Sequence, residues 1–370
     1  MDRLFLVLVG EPNSAPHGSG FFAIVPPAVF QNAPFEYPIR LSDSGPFLSF
    51  DKQIRLELQQ LALASGALAW VAWVILQSFQ LCCMQALPSI LINGIASAMI
   101  LYIIAIGLSL TMGLMGFANL AHCVFACAGG YAAIWAMQRL GLNFWLALGF
   151  ATVVVAALAV PIERCLYARL YGASELDQVL FTIGLVFISM ATAKFLFGPS
   201  PLNITIPQAL QGQVEVASGA IPAYRVAIIA AGIALFAIIW LVVEKTPVGA
   251  QLRAAVDNRR IAEAVGVRTD RLFTFTFALG SGLAALGGAI GAEVLPIRPS
   301  YAFDQLNYVL IVVSVGGLGT LHGPFLAALL LGVGDTACKY FLPEFGAFFI
   351  FAAMILILLW RPNGLFGIIK

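Results

Sequence analysis

The sequence predicts an all-α polytopic membrane protein, a bundle of about eight or nine transmembrane helices. Three observations predict it. Hydrophobic residues make up 61% of the 370-residue chain and charged residues 10%, against roughly 45–50% and about 25% in soluble domains. No Asp, Glu, Lys or Arg occurs from Leu58 to Gln138, and a crossing takes about 20 apolar residues, so that stretch alone has room for three. Apolar runs of span length then recur to the C-terminus, separated by short polar loops. Such runs must be helical, because lipid cannot satisfy open backbone groups.

The first 83 residues stand apart. Residues 1–57 scatter Pro, Ser and Asn without a sustained period. Leu4–Val9 is too short for a secretory signal, and no cleavage pattern follows it. Two readings stand: a poorly ordered extension, or a segment upstream of the natural start, since Met84 opens what reads as a first membrane helix. Residues 61–83, with Trp70 and Trp73, are apolar enough to form an extra helix. From Met84 to Lys370, a single transmembrane domain, spans are expected near 88–112, 119–138, 142–161, 178–197, 223–243, 272–292, 304–316, 323–340 and 345–360. The segment 304–316 is short for a full crossing.

The loops set the orientation. Residues 244–271 carry Lys245, Arg253, Arg259, Arg260, Arg268 and Arg271 against four acids. Arg164 and Arg169 mark 162–177, Arg361 and Lys370 mark the tail, and 199–222 has no Lys or Arg. The positive-inside rule places the first three in the cytoplasm and 199–222 outside. Nine crossings after Met84 agree with that, with residue 84 starting outside. A net charge of +1 gives no field for nucleic acid.

Three features carry functional information. Residues 249–267 combine helix-forming residues with an apolar stripe of Leu252, Val256 and Ile261. Gly266 is placed to end that helix. It reads either as a cytoplasmic helix that docks a soluble partner or as a helix lying on the membrane surface. Next, Gly116 to His122 and Gly316 to His322 each set a Gly six residues before a His within apolar sequence. Paired interruptions of this kind mark transporter pathways; the alternative is a tight turn at the membrane face, which the second segment, followed by Gly323-Pro324, favours. Third, Asp335 and Lys339 stand four apart on one expected helix and are positioned to pair.

Other signals exclude. His122, Cys123 and Cys127 lack a fourth ligand for zinc. Gly317-x-Gly319 meets His322 where a dinucleotide fingerprint needs a third Gly, and no G-x-x-x-x-G-K-[ST] occurs. Gly287-x-x-x-Gly291 reads as a close-packing helix face. No nucleophile–base pair or metal set suggests an enzyme.

From Met84 to Lys370, 287 of the 370 residues, the chain resembles the membrane permeases of branched-chain amino acid ABC importers. Gly116–Tyr131, GFANLAHCVFACAGGY, is similar to the family's N-[FL]-A-H-G segment and following G-x-Y, with Cys123 in place of the Gly after His. Ile162-Glu163-Arg164 matches its I-E-R, Glu175–Leu180 the start of its next helix, and Gly249–Arg271 its cytoplasmic coupling loop. Gly316–Pro324 resembles its G-G-x-G-[ST]-x-x-G turn, and Arg361–Gly367 its terminal R-P-x-G-L-x-G.

The resemblance implies a non-enzymatic transport subunit in the bacterial inner membrane. Its partners would be a second permease, two cytoplasmic ATPases and a periplasmic substrate-binding protein. No cofactor or metal is implied in this chain; ATP would bind the ATPases. Arg253, Asp257, Glu263 and Gly266 are the expected ATPase contacts. Asn119 and His122, with Gly116, Gly316, Gly317 and Gly319, are the expected pathway residues. A urea or short-amide permease on the same scaffold is the alternative, and an ion-coupled carrier or channel a more distant one.

Overall fold

The computed structural model describes residues 5–6, 24–25, 87–113, 119–216, 219–317 and 319–366. The chain divides into two units, Met1–Val74 and Ile75–Lys370. In the first, Phe5–Leu6 (β1) pairs antiparallel with Ile24–Val25 (β2). The helix expected at 61–83 lies outside the described residues.

The second unit is an all-α bundle. In chain order its helices are Leu87–Gly113 (α1), His122–Arg139 (α2), Phe144–Cys165 (α3), Glu175–Phe197 (α4), Ala223–Lys245 (α5), Pro247–Asp257 (α6), Arg259–Ala264 (α7), Thr269–Gly291 (α8), Tyr301–Gly316 (α9), His322–Phe341 (α10) and Gly346–Trp360 (α11). Each expected span is a helix, and the largest discrepancy at an end is 161 against Cys165. Among the described residues, six helices are long and apolar enough to cross a membrane. The 16-residue α9 rises only about 24 Å, short of a hydrocarbon core of about 30 Å.

Local chemistry sets several boundaries. Asn143 caps α3 by accepting from the Leu146 amide at 2.9 Å, and Ser174 caps α4 by accepting from Asp177 N at 3.3 Å. Gly198 ends α4 at φ 82°, a conformation that suits glycine. The loop 199–222 contains a hairpin, Gln213–Val216 (β3) with Gly219–Pro222 (β4), that the sequence reading did not anticipate. Leu202 and Ile297 exchange backbone hydrogen bonds of 2.8 and 2.9 Å, tying this loop to the one after α8.

Helix α8 is the packing centre. It and α1 are largely buried, whereas α3, α4, α5 and α11 present most of their surface outward. The reason is side-chain size. Gly107 of α1 lies directly on Gly280 of α8, so a Cβ on Gly107 would run into the Gly280 carbonyl. Gly129 and Gly288 bring α2 equally close, against the backbones of Ala285 and Ala126. Gly287 takes Ile103 and Ile104 of α1, and Gly291 takes Ile100, so the expected close-packing face of α8 is real. Gly282 receives Thr152 and Ala156 of α3. Between lipid-solvated helices there is little hydrophobic gain, so such backbone-close packing holds them together. On its other faces α1 meets α10 through Gly332 on Ala98, and α5 through Gly232 on Met99.

This seam makes a contrast between two alanine substitutions. Gly288→Ala drives a methyl group into the Ala126 carbonyl and is expected to destabilise by about 1–3 kcal/mol. Gly149→Ala in α3 meets open space and gains helix propensity of up to about 1 kcal/mol, so it is expected to be neutral or stabilising. Thermal unfolding in mild detergent reads the difference; equal midpoints would show that α2 and α8 are not packed this closely.

Candidate functional site

The first candidate site is the start of α2. His122 is 1% exposed, and its Nε2 lies 3.1 Å from the carbonyl oxygen of Ile104 in α1. Ile104 is nine residues from the end of α1, or about 14 Å along the helix. Helix α2 therefore starts level with the middle of α1, not beside its last described turn. Asn119 organises this start. Its Oδ1 accepts from the Ala121 amide at 3.1 Å and from the Tyr167 hydroxyl at 3.0 Å. Its Nδ2 is buried and has no hydrogen-bond partner among the described residues. Phe125 and Tyr167 close around the site, their rings 5.6 and 4.9 Å from that of Phe277 in α8. Gly116 lies outside the described residues.

The second Gly…His segment has different geometry. Helix α9 ends at Gly316, and Gly317 and Gly319 turn the chain with φ of 98° and 74°. Gly316 packs on the backbone of Gly323, and Gly319 on Gly113 at the end of α1. Ser109 donates to the Thr320 carbonyl at 3.1 Å. The C-terminal segment closes the turn: Leu365 N donates to Val315 O at 2.7 Å and Phe366 N to Gly316 O at 3.2 Å. His322 is exposed while His122 is buried. This is a tight turn joining two helices, and it places His322 differently from His122.

The third candidate is the short polar element between α5 and α8, which the sequence places in the cytoplasm. The single helix expected at 249–267 is two helices, because Asn258 (φ −155°, ψ 102°) breaks the chain and caps α7 by accepting from Ile261 N at 3.1 Å. The expected apolar stripe divides accordingly. Leu252 packs against a small core of Ala255, Ala262, Leu272 and Phe273, whereas Ile261 is 62% exposed and Val265 74%. Among the expected contacts, Arg253 turns back to the Val243 carbonyl and stands 3.8 Å from Glu244 at the end of α5. Asp257 closes α6 and is exposed. Glu263 accepts from the Thr269 hydroxyl at 2.5 Å, and Gly266 follows α7 at φ 91° in open space. Val265 carried no sequence signal beyond its type; its exposure depends on where α7 starts, which Asn258 determines.

Two cavities accompany these elements. One of about 620 Å³ lies between α2, α3 and α4, lined by residues such as Val124, Ala128, Val154 and Leu185. Its Ser189 and Thr192 hydroxyls are already bonded to the Val186 and Ile188 carbonyls at 2.7 and 2.8 Å. It offers little to an ammonium or carboxylate group. The other, about 460 Å³, lies where the C-terminal end of α3 meets the N-terminal end of α8 and is lined by Glu163, Arg164, Asp270, Arg271 and Thr274 among others. Asp335 and Lys339 form the expected pair at 2.6 Å.

Comparison with known proteins places this architecture. Residues 90–358 match the family model described as branched-chain amino acid transport system / permease component. The chain is 26% identical over 304 residues to the high-affinity branched-chain amino acid transport system permease protein BraD of Pseudomonas aeruginosa, covering 75% of this chain and 94% of that one. It is 27% identical over 291 residues to LivH of Escherichia coli K12, covering 74% and 94%. It is also 27% identical over 290 residues to LivM of the same organism, covering 72% and 68%. Both of the latter carry the same permease description.

The Asn119 junction yields a direct test. Tyr167→Phe removes one of the two donors to Asn119 Oδ1 and is expected to cost about 1 kcal/mol. A melting midpoint in detergent lowered by a few degrees is the expected reading; an unchanged midpoint would mean that the bond does not hold the start of α2.

Proposed function

As the chain belongs to the family of branched-chain amino acid transport permeases, we propose that it is the transmembrane permease subunit of an ATP-driven importer for branched-chain amino acids. It is a multi-pass membrane protein, and we place it in the bacterial inner membrane. A binding protein would deliver substrate to the side of the 199–222 loop, a second permease would complete the pathway, and two ATPases would bind the face that carries α6 and α7.

The observation that carries this reading is the cytoplasmic element. Ile261 in α7 and Val265 just after it stand one turn apart, more than half exposed, and Ala262 of the same short helix is anchored in a core of its own. Water disfavours such a pair of exposed apolar residues, and a groove on a soluble subunit would bury it. Asp257, Glu263 and Gly266 lie on the same element and remain its proposed polar contacts. Arg253 would act indirectly, by holding α6 to α5. For the pathway we propose the interrupted region of Asn119, His122 and Gly116, with the turn of Gly316, Gly317 and Gly319 as the rigid wall beneath it. A helix that starts inside the bilayer is where a permease can change shape without unfolding a complete span.

The double substitution Ile261→Asp with Val265→Asp is expected to reduce co-purifying ATPase at least about tenfold while the permease stays folded, as loss of a central apolar anchor does. ATPase retained at the wild-type level would move the docking surface elsewhere. Uptake of labelled leucine in a strain lacking this chain tests the substrate: loss of uptake is expected, and unchanged uptake would refute the assignment.

A further inference from the structure

We propose that Glu163 is the positioning residue through which movement of the α6–α7 element reaches the membrane helices; this rests on the transport reading above. Glu163 occupies the last turn of α3 and is 3% exposed. A carboxylate buried at the end of a membrane helix is expensive unless its oxygens are satisfied. Here each oxygen has a hydroxyl donor. Tyr171 donates to Oε1 at 2.5 Å, and Thr274 donates to Oε2 at 2.9 Å.

The two donors belong to different parts of the molecule. Thr274 lies in the second turn of α8, the helix on which α1, α2 and α3 pack. Tyr171 follows the 3₁₀ turn Tyr167–Leu170, and its ring meets that of Phe273 edge-on at 6.1 Å. It packs on the core that Ala255 of α6 and Ala262 of α7 share with Leu272 and Phe273. One buried carboxylate therefore joins α3, α8 and the segment that backs the cytoplasmic element.

The path continues inward. Tyr167, at the other end of the same 3₁₀ turn, donates to Asn119 at the start of α2. A displacement of α6–α7 that moves Tyr171 thus acts on Glu163 directly, and on the break in α2 through one short rigid turn. The polar cavity of about 460 Å³ beside Glu163 gives the joint room to open. With Arg164, Asp270 and Arg271 lining that cavity, a released carboxylate would meet a polar surround and not lipid.

The test is the ratio of leucine taken up to ATP hydrolysed by the whole transporter in proteoliposomes. Glu163→Ala is expected to lower that ratio about tenfold while hydrolysis continues, the size of an ordinary coupling free energy. Glu163→Gln, whose amide oxygen still accepts a hydroxyl, is expected to recover most of it, and Tyr171→Phe to fall between the two. An unchanged ratio in Glu163→Ala and Tyr171→Phe would overturn the proposal, as would uptake and hydrolysis falling in step. If Glu163→Ala does not accumulate, Tyr171→Phe decides. Failure of the wild-type transporter to take up leucine would refute the transport reading instead. Amide exchange across 247–271 would then decide the joint itself: faster in Tyr171→Phe if the joint holds the element, and unchanged if it does not.

Discussion

The close approach of α8 to α1 and α2 is the constraint on which the rest of the structure depends. Lipid tails are as apolar as the helices they surround, so helices gain little from burying leucine against leucine. What holds this bundle is atom-to-atom packing of backbone on backbone. Gly107 on Gly280, and Gly129 and Gly288 on Ala285 and Ala126, allow that approach. Larger side chains would separate the helices and open voids that lipid cannot fill. The outer helices can then present bulky apolar residues such as Phe187, Phe351 and Leu356 to the membrane.

From this seam follows the position of everything polar. With α1 and α8 fixed, the Ile104 carbonyl and the Phe277 ring define a place where α2 can begin beside the middle of α1. Asn119, His122 and Tyr167 supply hydrogen bonds that a helix start needs where no water reaches it. At its N-terminal end the same α8 carries Thr269, bonded to Glu263 of α7, and Thr274, bonded to Glu163 of α3. The helix that organises the spans is also the one to which the cytoplasmic element is fastened. A motor acting on α6 and α7 would therefore act on the centre of the bundle and not on its edge.

Much of this was legible in the sequence. Hydropathy located nine of the described helices because the bilayer forces long apolar runs. The ion pair of Asp335 and Lys339, the close-packing face at Gly287 and Gly291, and the helix end at Gly266 followed from spacing and residue type. Other features depended on tertiary contacts. Gly116–His122 and Gly316–His322 look alike as strings, yet His122 is buried against Ile104 whereas His322 is exposed beside a turn pinned by the C-terminal segment. The contact of Arg253 with the end of α5 was not readable, since it needs the chain to turn back between α5 and α6. Glu163 was visible only as part of I-E-R; its role depends on hydroxyls 8 and 111 residues away. Asn258 was a readable signal, since asparagine favours a helix start, and it alone would have split the cytoplasmic helix in two.

On the proposed function, this chain forms part of a pathway but does not power it. The most direct measurement is time-resolved accumulation of labelled leucine in proteoliposomes that contain the permease pair and binding protein, with and without the ATPase subunits and ATP. Uphill accumulation is expected only when both ATPase and ATP are present. Equilibration of leucine through this chain without ATPases, or accumulation driven by an ion gradient alone, would contradict it.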